Sequence, residues 1–198
     1  MSTTGTPQPL SCAIFVIVAM SLAGFAHVLW LRSKPSARFH APVDFNLTLG
    51  GQPVFGVNKM WRGFVVMPPA AALSFWTLRL LHDSLPAWIG AGMWDLSAER
   101  YAFLGFTSGL AFMVAELPNS FLKRQLGVAP GMAPRGRGLA AVFFIVDRVD
   151  SVLGVLLALT LMVPVPVQTW VWVLLLGPGV HWLFSAWLYR LKVKARSL

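Results

Sequence analysis

Five long apolar stretches dominate this sequence: Leu10 to Leu31, Gly63 to Leu81, Tyr101 to Leu117, Leu139 to Val163, and Val167 to Tyr189. A helix needs roughly 20 largely apolar residues to cross the ~30 Å hydrocarbon layer of a bilayer, where every backbone polar group must be satisfied within the segment. Each stretch therefore reads as a spanning helix, and the expected fold is an all-α integral membrane bundle of about five transmembrane helices. With 57% of its 198 residues hydrophobic and only 12% charged, the chain has too little polar surface to cover a water-soluble globule. A chain of this length holds five such segments in one bundle, so residues 1–198 read as a single transmembrane domain.

Orientation follows from the basic residues, which cytoplasmic loops retain. The first long loop carries Arg32, Lys34, Arg38, Lys59 and Arg62; the second carries Lys123, Arg124, Arg135 and Arg137; the tail carries Arg190, Lys192, Lys194 and Arg196. Of the 16 basic residues only Arg79, Arg100 and Arg148 fall elsewhere. This asymmetry predicts an outside N-terminus, a cytoplasmic C-terminus and a multi-pass protein of the cell membrane. The first ten residues carry no Lys or Arg, so the first stretch is expected to remain as a span rather than act as a cleaved leader.

Several function classes are disfavoured by the same reading. Cys12 has no second cysteine to pair with, which leaves no internal disulfide and no cysteine zinc site. The net charge of +9 flanks lipid spans instead of forming a basic face on a soluble module, and the nine tryptophans suit an interfacial belt, so no nucleic-acid partner is expected. His27, His40, His82 and His181 are not spaced as a metal set, and His181 reads as a hydrogen-bonded packing residue. No repeat relates the spans, which disfavours an inverted-repeat transporter. Pro68, Pro69, Pro118 and the Gly177-Pro178-Gly179 run remove or weaken helical hydrogen bonds and predict kinks.

Three segments carry chemistry. The fourth stretch contains Asp147-Arg148-Val149-Asp150-Ser151, and each charge inside a span costs at least ~2.5 kcal/mol. Asp147 and Asp150 lie about 60° apart around a helix, with Ser151 near the same face, a placement in which two carboxylates hold Mg²⁺ jointly. The alternative is a structural network in which Arg148 neutralises an aspartate. The third stretch ends in Glu116, Asn119, Ser120 and Lys123, which form one polar stripe if the helix continues past Pro118. Such a stripe suits a metal-triphosphate, while a snorkelling basic terminus explains only its lysine and Arg124. The first loop ends with closely spaced glycines, Gly50, Gly51 and Gly56, before Lys59 and Arg62, a setting that fits either phosphate contact or ordinary interfacial anchoring.

Together these segments resemble the CDP-archaeol synthase family, a branch of the cytidylyltransferases that includes the CDP-diacylglycerol synthases. The resemblance rests on Pro42-Val43-Asp44-Phe45 and the run from Gly56 to Phe64. It continues through Glu116, the run from Asn119 to Gly127 and Pro130-Gly131, and ends on Asp147-Arg148-Val149-Asp150 with Leu153-Gly154. The sequence departs from the pattern at Val57 and Asn58, where Asp-Gly is expected, and at Met60, where a small residue is expected. The Lys-Asp and His-Gly-Gly elements of the larger branch are missing between Arg124 and Asp147, as in the archaeol-type branch.

The resemblance implies a Mg²⁺-dependent reaction of CTP with a lipid phosphate, archaetidic-acid-like or phosphatidic acid, giving CDP-lipid and pyrophosphate at the cytoplasmic face. It implies Asp147, Asp150 and Glu116 as metal-holding and catalytic residues together with Lys123. Lys59, Arg62, Asn119, Ser120, Arg124 and Arg148 are implied as CTP-binding residues. The partners are then CTP, the lipid phosphate and the bilayer, and a homo-oligomer is compatible with the same composition. The competing readings are a small ion or proton-coupled transporter using Asp147, Arg148 and Asp150 as a relay, a CDP-alcohol phosphotransferase whose longer aspartate series is missing here, and a catalytically degenerate family member serving as a membrane partner.

Overall fold

The computed structural model describes residues 5–190. Lys192, Lys194 and Arg196, and the side chain of His181, lie outside the described residues. The elements are α1 (Pro9–Leu31), α2 (Trp61–Leu80), the single-turn α3 (Ala87–Gly90), α4 (Ala98–Gln125), α5 (Arg137–Met162) and α6 (Val167–Arg190). The first loop adds a 3₁₀ segment, Lys34–Phe39, and a short antiparallel hairpin of β1 (Thr48–Leu49) and β2 (Gln52–Pro53). Its two central residues, Gly50 and Gly51, sit at φ 58° and 78°, the positive values that a tight hairpin turn demands at both positions.

Three helices, α1, α2 and α4, are long and apolar enough to cross a membrane. The five apolar stretches all emerge as long helices. Helix α4 extends beyond the apolar stretch that ends at Leu117, continuing through Pro118 to Gln125, the condition on which the polar stripe depended. Helices α2 and α6 likewise continue through Pro68, Pro69 and Pro178. Each long helix packs on the next in the circuit α1, α2, α4, α5, α6 and back to α1. Leu22, Leu73, Phe103, Phe106, Leu157 and Leu175 project outward, an apolar exterior that suits lipid.

Glycines set the spacing where α4 meets its neighbours. A Cβ on Gly109 would lie 2.6 Å from the Met67 carbonyl oxygen of α2, and one on Gly154 of α5 would lie 2.6 Å from that of Ala111. Close backbone approach through small residues is how apolar helices associate when no hydrophobic drive separates protein from lipid. At one end of the bundle Phe15, Phe75, Trp94 and Tyr101 form a buried ring cluster, with edge-on contacts from Phe15 at centroid distances of 5.3 to 6.1 Å. The Tyr101 hydroxyl accepts from the Trp94 amide at 2.6 Å and donates to the Trp94 carbonyl at 2.9 Å. Roughly 22 Å farther along α4, at 1.5 Å per residue, lies Glu116.

Candidate active site

The close contact of Gly154 with Ala111 brings the last turns of α4 against the middle of α5, so the polar stripe of one helix faces the aspartates of the other. Asn119 is the bridge. Its Nδ2 donates to Asp147 Oδ1 at 2.6 Å and to Asp150 Oδ2 at 3.0 Å. Ser151 Oγ lies 2.9 Å from Glu116 Oε1 and 3.2 Å from Asp150 Oδ1, linking the third carboxylate to the other two. Two lysines join the cluster: Lys59 pairs with Glu116 and Lys123 with Asp147.

Three carboxylates and two ammonium groups thus meet among the described residues, in a region where unpaired charge is costly. The Asp147 side chain is 42% exposed while Lys123 is only 14% exposed, so the aspartate sits on the open side of the cluster. Asn119 Oδ1 is buried with no hydrogen-bond partner. This donor set consists of oxygens only, the chemistry that Mg²⁺ prefers, and one of those oxygens stands unsatisfied. Among the described residues no three His, Cys, Asp or Glu side chains form a group that could hold a metal ion, and Asn119, Lys59 and Lys123 contact carboxylate oxygens of the cluster. The donor chemistry fits the ion even though those contacts fill the site.

Beside the cluster, Arg124 is only 5% exposed, and its Nε and Nη1 are buried without partners. It packs under the first loop, where a Cβ on Gly56 (φ 85°) would lie 3.2 Å from Arg124 Cδ. A buried guanidinium with free N–H groups is an anion site in waiting. Asp44 holds the same loop from beneath, accepting hydrogen bonds from the amides of Phe55, Gly56 and Asn46. Burial by itself would raise the Asp44 carboxyl, but those amide donors outweigh it and hold the group below its ordinary value.

Of the residues singled out from the sequence, Lys59, Glu116, Asn119, Lys123, Asp147 and Asp150 come together, and Arg124 lies against the adjoining loop. Three do not join them. Ser120 Oγ donates back to the Glu116 carbonyl at 2.9 Å. Arg148 donates to the Phe144 carbonyl at 2.7 Å and lies over the Phe144 ring, and it forms no ion pair with an aspartate among the described residues. Arg62 opens α2, where its carbonyl accepts from Trp30 Nε1, and its side chain forms no ion pair among the described residues. Sequence reasoning left two participants out of the site. Ser151 had a signal, being four residues after Asp147 on the same helix face. Asp44 is the only acidic residue of the first loop, but its role depends on pairing with residues 11 and 12 positions away.

A family model described as CDP-archaeol synthase matches residues 39–197. Similar proteins include CDP-archaeol synthases of Halobacterium salinarum, 33% identical over 123 residues, covering 62% of this chain and 61% of the relative. That of Staphylothermus marinus is 32% identical over 90 residues, covering 45% and 43%. That of Saccharolobus islandicus is 28% identical over 131 residues, covering 66% and 64%. The matched part of the chain thus spans less than two thirds of each of these relatives. No solved structure matches.

Proposed function

Because the chain belongs to the CDP-archaeol synthase family, we propose that it is a CTP-dependent cytidylyltransferase acting on a membrane lipid phosphate. An oxygen of the lipid phosphate attacks the α-phosphorus of CTP, the bond to the bridging oxygen breaks, and pyrophosphate leaves with the electron pair. No protein nucleophile is required, so the side chains work by positioning and charge neutralisation. Lys123 and Lys59 bring positive charge to the cluster, and Arg124 offers buried N–H donors to phosphate oxygens. Asp147, Asp150 and Glu116, with Asn119 Oδ1, are the residues that would hold Mg²⁺, which when bound supplies further neutralisation of phosphate charge.

One observation carries the reading: three carboxylates, two lysines and an unpartnered buried arginine converge at one end of an otherwise apolar bundle. A transporter needs access from both faces, and beyond the polar site the ring cluster of Phe15, Phe75, Trp94 and Tyr101 is packed as buried core. In the topology proposed here α5 and α6 also span, the N-terminus is outside, and residues 32–62, 118–138 and 190–198 face the cytoplasm with the site. It is supported by the basic residues of the first two segments, which flank the cluster. Labelling of single cysteines in these loops from outside intact cells would overturn it.

The activity is tested by incubating purified protein with labelled CTP, Mg²⁺ and a panel of ether-linked isoprenoid and ester-linked acyl lipid phosphates. Labelled CDP-lipid with matching pyrophosphate release is expected. Folded protein that labels no lipid in any arm overturns the reading, and the preferred arm identifies the chains.

A further inference from the structure

The first loop is organised around a buried anion that no cation matches among the described residues. Asp44 is 5% exposed, and its carboxylate is taken up by backbone N–H groups: Phe55 at 2.7 Å and Gly56 at 3.0 Å on Oδ2, Asn46 at 3.0 Å on Oδ1. The residues beside it are strained, since Phe45 and Asn46 adopt φ 49° and 63° without being glycine. A strained turn persists only where its surroundings over-determine it, and here the carboxylate supplies that restraint.

The restraint reaches the site along two short paths. Gly56, whose amide Asp44 holds, lies against Arg124 at a distance that leaves no room for a relaxed Cβ. Three residues on, the Lys59 amide donates to the Gly56 carbonyl at 3.1 Å, and its carbonyl accepts from the Val43 amide at 2.8 Å. The Lys59 backbone is therefore tied to both flanks of the Asp44 turn, and its ammonium pairs with Glu116 across the interface with α4.

Resting on the functional reading above, we propose that Asp44 is a positioning residue for the nucleotide: its carboxylate fixes the loop so that Lys59 and Arg124 are preassembled to receive the phosphates of CTP. It does not touch the substrate. Its contribution is to remove the ordering cost that a loose loop incurs each time the nucleotide binds. The lipid phosphate enters from the bilayer, so the Asp44 turn bears on CTP more than on lipid.

The test compares wild type with Asp44→Ala and Asp44→Asn, measuring kcat and the KM for each substrate, with the rise in Tm on adding CTP as a binding readout independent of turnover. Alanine removes every acceptor, and the CTP KM is expected to rise about tenfold, the scale of losing a charged hydrogen-bond set. Asparagine keeps one oxygen for Phe55 and Gly56, and a rise of a few-fold is expected. The lipid KM should stay within about twofold in both variants, and the CTP-induced rise in Tm should shrink in the same order. If alanine prevents folding, the asparagine variant carries the comparison. Unchanged CTP KM in folded variants, or equal losses for both substrates, overturns the inference while leaving the cytidylyltransferase reading intact. Wild-type protein that neither responds to CTP nor forms CDP-lipid overturns that reading and this inference with it.

Discussion

The two ends of the bundle solve opposite problems. At the aromatic end the ring cluster is buried and its polar atoms are matched: the Tyr101 hydroxyl both donates to and accepts from the Trp94 backbone, and Trp94 Nε1 donates to the Pro164 carbonyl at 2.9 Å. At the polar end Asn119 Oδ1 and Arg124 Nε and Nη1 are buried with nothing to bond. Buried polar groups are paired in the great majority of cases, and leaving one unpaired costs about 1–3 kcal/mol. One end closes on its own polar pairs, and the other keeps buried polar atoms without a protein partner among the described residues. Substitutions at the two ends should therefore separate stability from turnover.

The largest effect is expected at the aspartates. Asp147→Asn and Asp150→Asn keep size and one carbonyl oxygen but remove a charge from the cluster, and CDP-lipid formation should fall about 100-fold or more, the scale of one lost transition-state interaction of ~3 kcal/mol. Their detergent thermal stability should stay close to wild type. Well-folded variants with normal turnover would sink the assignment of these residues to the reaction.

Next comes Arg124, where the comparison predicts that nucleotide binding weakens without a loss of stability. Arg124→Met keeps the aliphatic packing under Gly56 and removes the unpartnered N–H groups. The CTP KM should rise about tenfold while Tm stays level or rises, since a buried charge replaced by an apolar side chain is often neutral or stabilising. A fall in Tm with unchanged CTP KM would make Arg124 a structural residue and erase the contrast.

The aromatic end should behave in the reverse sense. Tyr101→Phe leaves the Trp94 amide and carbonyl without their partner and should lower stability by about 1–2 kcal/mol. Turnover per folded molecule, measured with saturating CTP and lipid, should not change.

How much of this was legible in the sequence differs between the ends as well. Helices α1, α2, α5 and α6 begin and end within about two residues of the apolar stretches, because length and hydropathy are local properties. The third stretch was cut short at Pro118, yet the residues beyond it depend on the helix continuing: only on an unbroken α4 do Glu116, Asn119 and Lys123 face α5 together. The carboxylates were visible because charge inside an apolar run is conspicuous. Arg148 was equally conspicuous and turned to Phe144 instead, since a residue one position from Asp147 points about 100° away around the helix. The unpaired state of Arg124 and the bracing by Asp44 are products of tertiary packing, which no spacing in the sequence encodes.

The smallest expected effect, and the finest test of the polar end, is a pH dependence confined to the first loop. Burial alone would disfavour the charged form of Asp44, but hydrogen bonds from the amides of Phe55, Gly56 and Asn46 hold its carboxyl below the ordinary carboxylate value. A group whose folded value is depressed contributes stability that is fully present above its unfolded value, about 3.9, and is lost as the pH falls through the lower folded value. Hydrogen-exchange protection of the Phe55 and Gly56 amides, corrected for the intrinsic rate, should hold steady from neutral pH to about 4 and fall below it. The protection of α2 should not change over the same window, which keeps the effect local and distinguishes it from acid unfolding of the bundle. Asp44→Asn identifies the source of the effect. In that variant the amide cannot titrate, so protection should start lower and lose its acid step. An acid step that survives unchanged in Asp44→Asn would take the restraint away from Asp44.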